Sequence, residues 1–251
     1  MVAQTDKKPV EKIQEKARQE SVPAPTRHYR AILFQVILIL VASGFAMLTF
    51  LVKMTPVSAL DLQITRAVQL FNIPGFSLLM VLVSWPGYGP QLPIISAVAV
   101  VLLYALGLRW EAVAAAAAAI FSATLNVLVK DLVQRPRPLA DMVNVVATLN
   151  SYSFPSGHVM SYLGFFGFVG FLAFSLLKPS FKRVLILTVT GGLIVLIGLS
   201  RIYLGQHWAS DVLGAYLLGS LTLIANIQFY RWGKTRFFVN QPVAAAGSQK
   251  A

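Results

Sequence analysis

Six stretches of this chain run without a charged residue, and they restrict its folding options more than any other feature. They cover residues 31–52, 72–108, 112–129, 159–177, 184–200 and 212–230, and most reach the roughly 17 to 25 apolar residues a helix needs to cross a bilayer. Only 12% of the residues are charged, against roughly 25% in soluble domains. The chain therefore reads as an all-α polytopic membrane protein, a bundle of six transmembrane helices.

The expected organisation is a disordered, basic cytoplasmic tail over 1–29, a six-helix membrane domain over 30–232, and a cytoplasmic C-terminal tail over 233–251. The first 29 residues mix Lys, Glu, Gln and Pro and lack the apolar content to offset the entropy of ordering. The first apolar run begins near residue 31 and is 22 residues long, long for a signal-peptide core, so it reads as an uncleaved first span.

A formal charge of +12 in a soluble protein suggests nucleic acid; here its distribution speaks of topology, and no nucleic-acid partner is expected. With the N-terminus cytoplasmic, six alternating spans leave only Lys53, Arg66, Lys130, Arg135, Arg137 and Arg201 outside, six of the 21 basic residues. That satisfies the positive-inside rule. The expected location is the cell membrane, multi-pass, with both termini cytoplasmic.

Between residues 53 and 92 the pattern is less regular. Asp61 and Arg66 fall on an amphipathic helix placed at the outer interface, and Trp85 and Tyr88 flank a Pro/Gly-rich break that fits an aromatic belt. The second span is expected over 92–108. The alanine run from Ala112 to Ala119 and the glycines at 164, 167, 170, 191 and 192 read as small residues that let helix backbones approach closely.

Ionisable groups at the ends of such spans are costly and are kept mainly for function, and three clusters stand there. Lys130 is followed by Arg137-Pro138, where a point charge and a guanidinium fork can converge on one anion; alone, these read more readily as snorkelling interfacial cations. Pro155-Ser156-Gly157-His158 precedes the fourth span, so Ser156 and the backbone N–H groups around Gly157 lie at a helix start suited to phosphate. Ser200-Arg201 is followed by His207 and Asp211, four apart and so on one helical face. A carboxylate there fixes the imidazole tautomer and leaves Nε2 free to attack.

Apart from His28 in the tail, the chain has only these two histidines. Two imidazoles can divide phosphoryl transfer, one attacking phosphorus and one protonating the leaving oxygen, while cations stabilise the equatorial oxygens. Cysteine is absent, which excludes thiolate nucleophiles, thiolate metal sites and disulfides.

Lys130 with Arg137-Pro138, then Pro155 to His158, then Ser200-Arg201 with His207 and Asp211, resembles the tripartite signature of the type 2 phosphatidic acid phosphatase superfamily, without departure and in order. The hydrophobic pattern from about residue 31 to 230 resembles that family's six-helix core. The resemblance implies that Lys130, Arg137 and Arg201 bind phosphate, assisted by Ser156 and the Gly157 amide. It also implies that His207 forms a phosphohistidine oriented by Asp211, that His158 protonates the leaving group and later activates water, and that neither metal nor other cofactor takes part. The expected function is a membrane phosphatase acting on a lipid phosphate or lipid pyrophosphate, of the phosphatidate, phosphatidylglycerophosphate or undecaprenyl pyrophosphate class, at the extracytoplasmic face. The alternative is a lipid phosphotransferase built on the same residues. A lipid-binding protein without turnover fits less well, since binding needs the cations but not an oriented nucleophile.

Overall fold

The computed structural model describes residues 24–71 and 73–238. Of the tails expected over 1–29 and 233–251, residues 1–23 and 239–251 lie outside the described residues. The described residues divide after Leu40 into two units; the first, residues 24–40, is helical, and the second holds the described residues that follow.

Among the described residues every regular element is helical. The chain runs through α1 (Ala24–Met54), α2 (Ala59–Gln69), α3 (Phe76–Ser84), α4 (Gln91–Ala105), α5 (Arg109–Val133), α6 (Gly157–Leu176), α7 (Phe181–Tyr203) and α8 (Ala209–Phe238). Helix α1 begins inside the expected tail, and α8 continues past the expected boundary at 232.

Five of these helices are long and apolar enough to cross a membrane, and the count of six is reached only through a bent pair. The second span is not the straight 92–108 helix expected. Helix α4 has 15 residues, about 22 Å at 1.5 Å per residue, too short for a hydrocarbon core of about 30 Å. It joins α3 at an angle of 60° through the turn Trp85–Gly87, where Pro86 and Pro90 interrupt regular helix. The continuous apolar run hides this break.

Packing follows the small residues. Ala112, Ala114, Ala115 and Ala118 line the buried face of α5, and Gly164 meets α5 so closely that a Cβ there would lie 1.9 Å from Ser122 Oγ. Between lipid-like surfaces, such close contact replaces the hydrophobic drive that water supplies elsewhere. Gly167 and Gly170 likewise face neighbouring side chains, whereas Gly191 and Gly192 face open space and serve no close approach. Beside Gly164, α6 makes a π-turn over Tyr162–Phe166, a local widening common near functional sites.

The two ends of the 41–251 unit differ in chemistry. At one end Glu111 is buried, accepting from Tyr230 Oη at 2.9 Å and pairing with Lys234 Nζ at 2.7 Å. At the other, α5 and α7 end and α4, α6 and α8 begin, so that all three polar clusters meet there.

Candidate active site

Helix α7 ends just past Arg201. Gly205, at φ +65°, turns the chain back, and Gln206 N and His207 N both donate to the Arg201 carbonyl. The turn needs glycine twice over, since a Cβ would also lie 2.0 Å from the Asn144 carbonyl oxygen. It delivers His207 immediately before α8, whose first turn carries Asp211. Asp211 Oδ2 accepts from Trp208 N at 2.8 Å and from Ser153 Oγ, and lies 3.4 Å from His207 Nδ1.

On the other side of that ring, Arg137 NH1 approaches His207 Nε2 at 3.2 Å. A guanidinium has no acceptor, so this contact requires a lone pair on Nε2 and places the ring proton on Nδ1, toward Asp211. Burial, and then the charges of Arg137, Lys130 and Arg201, hold the His207 ring well below the usual imidazole value of 6.5. It is therefore neutral at pH 7.

The cations are held largely by backbone. Arg137 donates to the carbonyls of Ser151 and Gln206, each at 2.6 Å, and Lys130 Nζ to the carbonyls of Tyr152 and, at 3.3 Å, Ser153. Burial and the neighbouring Arg201 push the Arg137 guanidinium down to about 10, which leaves it charged at neutral pH. Arg201 is fully buried, donates NH1 to Ser84 Oγ and Tyr88 Oη at 3.1 Å each, and keeps Nε and NH2 without a protein partner.

Ser156 precedes α6, its Oγ buried and unpartnered, and Gly157 begins the helix where a Cβ would lie 3.0 Å from Asn126 Oδ1. His158 is one residue further, its Nε2 buried and without a partner. All eight residues singled out in the sequence, His207, His158, Asp211, Lys130, Arg137, Ser156, Gly157 and Arg201, are thus gathered at one end of the bundle.

Several neighbours escaped the sequence. Tyr88, expected in an outward aromatic belt, turns inward: its ring meets His158 edge-on at 5.1 Å and its hydroxyl donates to Gln206 Oε1 at 3.2 Å. Of the two aromatic residues at that break, only Trp85 faces outward. Gly87 lies so close beneath His158 that a Cβ would come within 2.3 Å of its ring. Asp61 and Arg135 form a buried ion pair at 2.7 Å, and Arg135 also reaches Asp211 Oδ1 at 2.5 Å. The Ser58-x-x-Asp61 pattern, a capping signature, marks the start of α2 but gives no sign of the contact with Arg135.

The chain can be placed among known proteins by comparison. The family model described as the PAP2 superfamily matches residues 109–235, just over half of the chain. Phosphatidylglycerophosphatase B of Bacillus subtilis is 37% identical over 101 residues, 39% of this chain and 47% of that protein. Undecaprenyl-diphosphatase of Sulfolobus acidocaldarius is 35% identical over 82 residues, 33% of this chain and 35% of that protein. The chain thus spans about half the length, or less, of these curated relatives. Among solved structures, a transmembrane PAP2 type phosphatidylglycerolphosphate phosphatase from Bacillus subtilis superposes with a TM-score of 0.69 at 25% identity, covering 80% of this chain and 98% of that one. Aquifex aeolicus LpxE shares the fold, with a TM-score of 0.54 at 21% identity over 69% of this chain and 98% of its own. The matched stretch contains all three polar clusters and the four long helices that carry them, and the chain belongs to the PAP2 superfamily.

Proposed function

We propose that this protein hydrolyses a lipid phosphate or lipid pyrophosphate at the extracytoplasmic face of the membrane, through a phosphohistidine on His207. The observation that carries the reading is the charge of the site. Lys130, Arg135, Arg137 and Arg201 bring four cations against three carboxylates, Asp61, Asp211 and the Asp131 beside Lys130, and the excess positive charge coincides with the unpartnered atoms of Ser156, His158 and Arg201. Buried charge of that kind calls for an anion, and a phosphate dianion matches it in charge and in hydrogen-bonding capacity.

In the proposed mechanism Arg137, Lys130 and Arg201, with Ser156 and the Gly157 amide, hold the phosphoryl oxygens. The Nε2 lone pair of His207 attacks phosphorus, a P–N bond forms and the P–O bond to the lipid breaks. His158 gives its proton to the departing oxygen. Asp211 accepts from Nδ1 and stabilises the positive charge that develops on the ring. Water, deprotonated by His158, then cleaves the P–N bond and releases inorganic phosphate. No step calls for a metal ion, so turnover persists in EDTA.

A lipid rather than a soluble ester is favoured by an apolar groove of about 450 Å³ beside the site. It runs between α4, α5 and α6 past Leu92, Ala119, Ala123, Ser161 and Phe165, starting one turn beyond His158. The names of the relatives point to phosphatidylglycerophosphate and undecaprenyl pyrophosphate as the first substrates to assay. The test measures phosphate release from a panel of lipid phosphates and pyrophosphates in detergent, with His207→Ala alongside. Release by the native chain and none by the variant supports the reading; undiminished release by His207→Ala overturns it.

A further inference from the structure

Behind the His207–Asp211 pair lies a line of buried charge that begins outside the stretch matched by the family model. Asp61, on α2, is 4% exposed, Arg135 1% and Asp211 0%. Arg135 NH2 donates to Asp61 Oδ2 at 2.7 Å, NH1 to Asp211 Oδ1 at 2.5 Å and to Ser210 Oγ at 2.7 Å, and Nε to the Pro56 carbonyl at 2.8 Å. The second Asp61 oxygen accepts from the backbone N–H of Ser210 at 2.8 Å, in the first turn of α8.

Two physical consequences follow from this arrangement. The His207–Asp211 contact is long at 3.4 Å, so the imidazole alone does not set the carboxylate's orientation. That orientation is set by the bonds Oδ2 accepts from Trp208 N and Ser153 Oγ and, from behind, by the short charge-assisted bond from Arg135 to Oδ1. The second consequence concerns charge. Arg135 alone would neutralise Asp211 and weaken its support for a ring turning cationic as it attacks. Asp61 compensates Arg135 and leaves one net negative charge across the three groups. On the pocket side the ring faces Arg137, Lys130, Arg201 and His158, all cationic or neutral, with Asp131 beside Lys130, so the negative charge in contact with the ring comes from this line.

We propose that Arg135 and Asp61 are positioning residues for the His207–Asp211 pair, so that α2 is a working part of the active site rather than an interfacial anchor. The same helix also clamps the outer segment over the site: Arg66 donates to the Met142 carbonyl at 3.1 Å, and Gln69 bonds both the N–H and the carbonyl of Asn144. The inference rests on the reading of His207 as nucleophile given above.

The test uses the full-length protein and compares the pH dependence of kcat/KM for Asp61→Asn and Arg135→Gln with that of the native chain. His207 attacks only when neutral. Removing the negative charge of Asp61 disfavours the protonated ring and moves the acid limb to lower pH. Removing the positive charge of Arg135 favours it and moves the limb to higher pH. Both variants lower kcat about tenfold or more, equivalent to one unit of ring basicity or one lost contact, with KM little changed. Combining them costs less than the product of the two effects, because both act through Asp211. Substrate ionisation is common to all the proteins and cancels in the comparison. Shifts of opposite sign support the proposal, while native kcat in Asp61→Asn, or shifts of the same sign, overturns it. If Arg135→Gln does not fold, Asp61→Asn with Asp61→Glu as its charge-retaining partner decides alone. His207→Ala run in parallel separates the two levels: turnover in that variant defeats the nucleophile assignment, whereas its inactivity beside a native-like Asp61→Asn defeats only the positioning role.

Discussion

Arg137 donates a hydrogen bond, at 3.2 Å, to the same His207 nitrogen that would attack phosphorus. The contact directs the Nε2 lone pair at the cation and fixes the tautomer; in the proposed mechanism the fork turns to the phosphoryl oxygens and releases the lone pair. Arg137→Lys keeps the charge but loses the planar fork, and Arg137→Ala loses both. Kinetics with a saturating lipid phosphate are expected to show kcat falling by about 10²–10³-fold in Arg137→Ala and by less in Arg137→Lys. Equal losses in the two variants would leave charge and geometry without separate roles.

The ring of His207 should stay neutral well into the acid range. Burial and the three neighbouring cations lower its value from 6.5, so between pH 6.5 and that lower value the unfolded chain binds a proton that the folded chain does not. Folding stability therefore falls as pH falls through this window, and His207→Gln lacks that part of the loss. With three histidines in the chain, ¹⁵N-histidine NMR resolves the matter directly: the expected spectrum at pH 6 shows His207 as the neutral Nδ1–H tautomer. Half-protonation at pH 6.5 or above contradicts it.

Gly87 supports His158 from below, and any Cβ at that position meets the ring. Gly87→Ala should displace the imidazole that, in the proposed mechanism, protonates the leaving group. Turnover is expected to fall toward the about 10²–10⁴-fold loss typical of a missing general acid, with the melting temperature in detergent little affected. An activated aryl phosphate, whose leaving group needs no proton, should recover much of the rate; an equal loss on both substrates points away from His158.

The opposite end of the bundle should behave differently. Tyr230→Phe removes one of the bonds that hold buried Glu111, at a cost of about 1.5–3 kcal/mol for a bond to a charged group. Thermal unfolding in detergent is expected at a lower temperature with kcat unchanged. A change in kcat without a change in stability would link this end to the chemistry.

Much of this molecule is legible in its sequence because spans and signature residues obey local rules. Long uncharged runs identify helices, and the ends of those runs carry the ionisable groups, so Lys130, Arg137, His158, Arg201, His207 and Asp211 stand out from their positions along the chain. What stays hidden depends on long-range geometry. Pro86 and Pro90 break an apolar run that otherwise reads as one helix, and the bend turns Tyr88 inward where composition suggests an interfacial belt. Asp61 and Arg135 are 74 residues apart, and no periodicity links a carboxylate on an amphipathic helix to a guanidinium in a proline-rich segment. Gly191 and Gly192 fail in the opposite sense: a small-residue pair permits close packing without requiring it.

The central claim concerns a covalent bond between phosphorus and His207, and rapid-quench labelling tests it most directly. Detergent-purified protein is mixed with ³²P-labelled lipid phosphate, quenched within milliseconds in base, and digested for peptide mapping. The expected result is a base-stable, acid-labile label on the peptide containing His207, present in the native chain and absent in His207→Ala. Full turnover with no labelled protein at any quench time, or label on a peptide that lacks His207, contradicts the account.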